Sequence, residues 1–505
     1  MILDLDRIKG GRTLPFRRDR NPVAGGQAQL TPRASPVWTG ATGKAECKRK
    51  EALLRTRALP LAALAASLAI VALAAAPASG AGRFEDERPA GYDINPKHQS
   101  NWEPTVAVDP SHPNRVYQLI TGINANACKG SCPGTSVLFR RSTDGGAIFG
   151  PETFVCVVAC KTIGWQFDPQ IRVANDTNAA CSCGTIYVAF MDQYDPGVQL
   201  FTSHDGGDTW SAPVTMNGGL TYMDKPILVI SPSGRDVYVA FNHKFDNMVV
   251  ASHDHGRSFL PPQKVNDDHL WWYANGGAYA PPNGDVYFAL AGETSLSGHG
   301  HDFDGPVEIA LLRCSWSTTR SCADPTLTSF GVAAAPPLCP VSGCYPDYFA
   351  ATGSIAIDAT GHMVFAYTFS EEPNGPKPLY VRTSDHGVHW STNVLVNALG
   401  DSSVPQIDSG PTPGDFRLAW QDDRTGSFNT WYAQTTDGGA SWGSHVRISN
   451  LGSGAPYKSP DGYTFTDGDY FGIAVGSTGI VHVIWGEADG SSLYCCGDVW
   501  YTKGS

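Results

Sequence analysis

Ser142-Thr143-Asp144-Gly145-Gly146-Ala147-Ile148-Phe149 is a turn-forming octapeptide that recurs along the chain. Its pattern, Ser/Thr-x-Asp-x-Gly-x-x-Trp/Phe, returns at Ser203 to Trp210, Ser252 to Phe259, Thr383 to Trp390 and Thr435 to Trp442. Each copy follows a β-rich run. The chemistry of the pattern is local. A carboxylate in a turn accepts hydrogen bonds from its own backbone N–H groups, glycine supplies the positive φ the turn needs, and the aromatic ring buries itself between sheets. Internal repeats of this length are the mark of an array of small β units that bury their faces on one another.

The five copies resemble the Asp box, or BNR repeat, of secreted sialidase-like propellers, over most of residues 100–505. That resemblance implies an all-β propeller of four-stranded antiparallel blades. It also implies that each box lies between the third and fourth strands of its blade, away from the binding face. Asp144, Asp205, Asp254, Asp385 and Asp437 are accordingly expected to be structural rather than catalytic.

Box-to-box spacing gives the blade count. The aspartates are 61, 49, 131 and 52 residues apart. The long gap spans two repeats and predicts a blade over 271–333 whose box has decayed, with Arg313-Cys314-Ser315-Trp316 where a box would begin. After the last box, Gly472–Val475, Val481–Trp485 and Asp498–Tyr501 read as three strands. A fourth strand from the N-terminal side, expected around Tyr92 to Asn101, would close the ring and remove its exposed edges. The count is seven blades, with six as the alternative.

Composition separates the chain into unlike parts. Residues 1–80 hold 13 basic and five acidic side chains; the rest hold 23 basic and 43 acidic, a net charge of −20. So acidic a body repels phosphate backbones and argues against nucleic acid as a partner. Residues 1–47 read as an unstructured upstream extension, consistent with a start codon set too early. Residues 48–81 read as a signal peptide: Lys48, Arg49, Lys50, Arg55 and Arg57 precede an uncharged Ala/Leu run, then small residues suited to cleavage. An uncleaved membrane anchor is the less favoured reading. Residues 82–505 form the propeller, expected to be secreted, monomeric and without a membrane span after cleavage.

Cysteine usage agrees with export. Cys128/Cys132, Cys156/Cys160, Cys181/Cys183, Cys314/Cys322, Cys339/Cys344 and Cys495/Cys496 lie in close pairs, which suits local disulfides in an oxidising compartment. Zinc is disfavoured because Cys-x-x-Cys spacing and finger histidines are missing.

If the box sits at the turn after the third strand, the opposite face is built from the starts of the innermost strands and the loops after the second strands. The strand starts read Glu103-Pro104, Asp168-Pro169, Asp224-Lys225-Pro226, Asp347-Tyr348, Gln406 and Asp469-Tyr470. The loops add Asp192, Asn242, Glu293, Glu371, Asp422, Asp423, Arg424 and Glu487. This acidic mouth is the expected ligand site, with Glu103, Asp192, Glu293, Glu371, Asp422, Arg424 and Glu487 as binding candidates. Asp168, Asp224, Asp347, Tyr348 and Asp469 are the weaker catalytic candidates. No cofactor is required and no metal is assigned, although such carboxylates suit Ca²⁺. Trp420 is expected to pack between blades, with Asp422 and Arg424 pairing to order their loop.

The resemblance to sialidases implies an arginine triad, a Tyr nucleophile helped by a Glu, and an Asp acid/base. The triad does not carry over. Arg140, Arg141, Arg313 and Arg382 fall on third strands, Arg235 in a box-side turn and Arg447 on an outer strand. Only Arg424 belongs to the expected mouth. The reading is a propeller that recognises a carbohydrate or an extracellular protein. A glycoside hydrolase using paired mouth carboxylates, or an exo-sialidase, is the alternative.

Overall fold

The computed structural model describes residues 83–85, 88–89, 101–123, 135–156, 165–266, 270–294, 306–317, 320–334, 351–372, 375–450, 458–459, 462–463, 471–488 and 497–505. These form seven four-stranded antiparallel blades and one short ribbon. A first strand, β1 (Arg88–Pro89), precedes the blades. Blade 1 is β2 (Asn101–Val108), β3 (Val116–Ile123), β4 (Thr135–Ser142) and β5 (Thr153–Phe154). Blade 2 is β6 (Gln166–Val173), β7 (Ile186–Asp192), β8 (Gly197–Ser203) and β9 (Val214–Thr215). Blade 3 is β10 (Met223–Ile230), β11 (Val237–His243), β12 (Asp246–Ser252) and β13 (Gln263–Lys264). Blade 4 is β14 (Trp272–Tyr279), β15 (Val286–Glu293), β16 (Val307–Cys314) and β17 (Thr326–Ala333). Blade 5 is β18 (Gly353–Ile357), β19 (Met363–Thr368), β20 (Leu379–Ser384) and β21 (Val394–Asn397). Blade 6 is β22 (Ser402–Ser409), β23 (Phe416–Asp422), β24 (Asn429–Thr435) and β25 (Val446–Arg447). The ribbon pairs β26 (Lys458–Ser459) with β27 (Gly462–Tyr463). Blade 7 is β28 (Gly472–Val475), β29 (Val481–Ala488) and β30 (Gly497–Gly504), completed by β1.

The ring therefore closes as a seventh blade built from both ends of the propeller. The closing strand is earlier than the sequence suggests. Arg88 and Pro89 pair with Tyr501 and Trp500, and Phe84 bridges Gly504. The aromatic ring of Phe84 packs edge-on against Tyr432 of blade 6, 4.7 Å away. Burial of that ring gives the short strand a side-chain anchor that its two paired residues alone do not supply.

Second strands carry the core. In blades 1 to 4, Tyr117, Tyr187, Tyr238 and Tyr287 occupy the same register position and are buried. Fully burying such a side chain contributes about 2–3 kcal/mol. The fourth blade, hidden in the long gap, lacks a box. The disulfide Cys314–Cys322 closes its turn between third and fourth strands instead. Cys181–Cys183 is also bonded, and Cys156 is in a disulfide. Cys128, Cys132, Cys160, Cys339, Cys344, Cys495 and Cys496 lie outside the described residues.

The boxes do what their chemistry implies. In blade 1, Asp144 accepts the Ser142 hydroxyl at 2.6 Å and the Ile148 N–H at 2.9 Å, while Ser142 Oγ accepts the Gly146 N–H. Asp205, Asp254 and Asp437 repeat this arrangement. Each box aromatic with a described contact packs on the preceding blade: Phe149 on Tyr501, Trp210 on Phe139 and Trp390 on Phe330.

Blade 5 departs from the pattern. Its register places Ser384, not Thr383, opposite Met363, the position that Ser142 takes opposite Val116. The turn is one residue shorter, so Ser384 Oγ accepts the N–H groups of His386 and Gly387. Asp385 is thereby turned outward, its side chain 77% exposed, and pairs with His362 Nδ1 at 2.6 Å. Thr383 to Trp390 matches the motif in letters but not in geometry.

Candidate functional site

The mouth opposite the boxes is built on a recurrent irregularity. Where each innermost strand begins, its register against the second strand slips: between Trp102 and Thr105, Phe167 and Gln170, Asp224 and Ile227, Ala274 and Gly276, and Ser403 and Gln406. In four of these bulges the central residue precedes proline and has positive φ: Glu103 (50°), Asp168 (54°), Lys225 (49°) and Val404 (43°). Proline has no N–H to give the ladder, so the ladder breaks there.

This register corrects two alignments made from sequence. Lys225, not Asp224, is the equivalent of Glu103 and Asp168. Asp224 stands one residue earlier, opposite Asn242. Gln406 is not a strand start; it pairs with Ala419 as Gln170 pairs with Ala189, one step inside the channel.

The mouth carboxylates are not a solvated rim. Glu103, Asp168, Asp192, Asp224, Glu293 and Asp422 are all buried, and two of them, Glu103 and Asp422, stitch strands together. Glu103 accepts the Thr121 hydroxyl and, across to blade 2, the Asp168 N–H, both at 2.9 Å. Asp422 is enclosed by Arg424 at 2.6 Å, by Trp420 Nε1 at 2.7 Å and by Asn397 Nδ2. Arg424 lies over the Trp431 ring, 4.0 Å from its centre, and also reaches His445. Trp420 is fully buried, as the sequence suggests. Glu371 is exposed on the loop after β19. Glu487 lies in β29 opposite Asp498. Asp347, Tyr348 and Asp469 lie outside the described residues. Among the described residues no group of three or more His, Cys, Asp or Glu is placed to hold a metal ion.

An aromatic group that sequence reasoning missed sits among the acids of blades 2 and 3. Tyr194, on the loop after β7, stacks parallel on Tyr222, just before β10, with ring centres 4.5 Å apart and planes within 3°. The Tyr222 N–H donates to the Tyr194 carbonyl at 2.8 Å. Burial pushes both phenols up, and the Asp224 carboxylate adds to this, with Asp168 acting on Tyr194 and Lys225 opposing. Both phenols therefore stay protonated at any working pH and can donate a hydrogen bond. Trp165, held by its carbonyl to the Gln193 N–H, is 41% exposed and packs edge-on to Phe167. A separate aromatic pair, Phe245 of blade 3 and the buried Trp271 just before blade 4, packs edge-on with centres 5.4 Å apart. The signal was available: three of these rings lie within a few residues of the strand-start acids. Loop aromatics, however, show no periodicity.

No family model matches the sequence, and no curated protein is similar to it. Solved structures share its fold. An ulvan lyase bound to -[GlcA(1-4)Rha3S]- superposes with a TM-score of 0.50 at 13% identity, over 82% of this chain and 95% of that one. The leech intramolecular trans-sialidase gives 0.41 at 12% identity, over 84% and 70%. An alpha-L-arabinofuranosidase of Fusarium graminearum gives 0.41 at 11%, over 73% and 97%. At these identities the likeness is one of fold.

Proposed function

We propose that the chain is an exported propeller that binds a carbohydrate at its mouth between blades 2 and 3. The observation that carries this is the aromatic and carboxylate group of Trp165, Tyr194, Tyr222, Asp168 and Asp224. Sugar rings present C–H faces that pack on aromatic rings and hydroxyls that bond to carboxylates and phenols. Export rests on the basic stretch and apolar run of residues 48–81 and on the local disulfides. The ulvan lyase adds that a propeller of this kind can hold a glycan.

Glycoside hydrolysis is the second reading, because Asp168 and Asp224 begin the innermost strands of neighbouring blades and hydrolysis needs two carboxylates. Sialidase activity fits less well. Arg141 is engaged by Asp208, Arg313 by Asp285, Arg382 by Asn393 and Arg424 by Asp422, which leaves these arginines committed away from any shared clamp.

The secreted chain should be tested on a glycan array and against fluorogenic glycosides, including a sialoside, with and without Ca²⁺. Glycan binding weakened about tenfold or more by Trp165→Ala is the expected result. Turnover lost in Asp168→Asn would promote the hydrolase reading. Glycan binding unaffected by Trp165→Ala and by Tyr222→Ala would sink the proposed site.

A further inference from the structure

Beneath the mouth, the seven innermost strands enclose a cavity of about 540 Å³, within the range of small-molecule sites. Most of its lining residues are aliphatic. At one level, set by pairing with the second residue of each neighbouring strand, they present Ala107, Val229, Ala278, Ala356 and Ala474. At that same level blade 2 presents Arg172 and blade 6 presents Asp408. These are the charged side chains among the described lining residues.

Both groups are only partly used. Arg172 donates one hydrogen bond, to the Ile171 carbonyl at 2.8 Å, and has no ion pair among the described residues. Asp408 accepts the N–H groups of Ser409 and Val475, each at 2.8 Å. The two charges feel one another without touching as a salt bridge. Two residues before each, on the same strand face, stand Gln170 and Gln406, which also line the cavity. Their side-chain amides have no hydrogen-bond partner among the described residues. A half-buried guanidinium with spare donors and no counter-ion in contact is a ready anchor for an anion.

We infer that this channel is a binding site for a small hydroxylated carboxylate, with the carboxylate on Arg172 and hydroxyls toward Gln170 and Gln406. A planar carboxylate matches the guanidinium fork. A single cation facing an aspartate favours a monoanion over a dianion such as phosphate. The site is separate from the mouth and does not rest on the reading proposed for it.

Asp408 should make the site pH-dependent. Burial pushes its carboxyl up to about 6, against the two N–H bonds and Arg172. Arg417, opposite it on β23, is tied to Asp415, Tyr432 and Gln434. β18 and β28 bring no charged side chain to the channel, and across it stand Arg172 and, from β14, Tyr279. As pH falls through about 6 Asp408 is progressively neutralised and its repulsion of an anion held at Arg172 fades. Above it the repulsion returns.

Glycolate is a suitable probe, titrated into the secreted chain by calorimetry and thermal shift at constant ionic strength, with sodium sulfate as comparator. Binding should be about tenfold tighter at pH 5 than at pH 8. Arg172→Gln should abolish it. Asp408→Asn should remove the pH dependence and tighten binding at pH 8. Trp165→Ala should leave it unchanged, which separates this site from the mouth. No glycolate binding by the wild type, or equal binding by Arg172→Gln, overturns the inference. Should Arg172→Gln fail to fold, Asp408→Asn decides: an unchanged affinity and pH profile overturns it.

Discussion

At the box face, Asp144, Asp205, Asp254 and Asp437 each bond within their own turn. At the opposite face, Glu103 reaches from blade 1 to the backbone of blade 2, and Asp422 gathers Trp420 and Arg424 of blade 6 and Asn397 of blade 5. One residue type thus serves two kinds of construction. Local bonding repeats with the sequence, because everything it needs lies within five residues. Bonding between strands depends on which strands meet, so it differs from blade to blade. Asp254 shows the local case clearly. Burial nudges its carboxyl upward, but the hydroxyls of Ser258 and Ser252 and the turn's N–H groups hold it down at about 2.

The contrast can be tested by removing one group from each face. The largest effect should come from Asp422→Ala, which strands the Arg424 charge in a site where it is 11% exposed. A loss of roughly 3–5 kcal/mol in denaturant unfolding is expected, and a loss below about 1 kcal/mol would show that water reaches the pair. Next is Gly207→Ala on the box face. This glycine has φ +92°, and an added Cβ would overlap the Phe139 ring of the preceding blade. Strain and overpacking together should cost roughly 2–4 kcal/mol. The same substitution at Gly426, where nothing lies near an added Cβ, should cost only the backbone strain.

Smaller effects separate the true boxes from the altered one. Asp205→Ala loses the Thr209 and Ser203 bonds and should cost about 1 kcal/mol. Asp385→Asn should change stability little at pH 8 and show itself as a change in pH slope. His362 is pulled down by burial, but its bonds to Asp385 and the Gly438 carbonyl outweigh this and raise it above 6.5. The stability it adds is full below the ordinary imidazole value and fades as pH rises through the raised one. In Asp385→Asn that fade should shrink. An unchanged slope would show that Gly438 alone sustains the shift.

Much of the fold was legible because the blade is a local unit. The box period counted the blades, the 131-residue gap marked the missing box, and Cys314/Cys322 marked its replacement. The closing strand was misplaced because it carries no motif of its own: Phe84 and Arg88–Pro89 are recognisable only by what they pair with. The mouth was legible in outline but not in register. Aligning Asp224-Lys225-Pro226 with Asp168-Pro169 by the acid puts the wrong residue in the bulge. Aligning by the proline puts Lys225 there, because the missing N–H is what breaks the ladder.

The unit, its number and the side on which its turns lie can be read along the chain, since these follow from contacts a few residues long. Which acids are exposed, which arginines are engaged, and that Arg172 and Asp408, 236 residues apart along the chain, share one level of the channel emerge from the folded ring alone. Ring closure brings distant strands side by side, and burial and pairing are properties of those neighbours rather than of any stretch of chain.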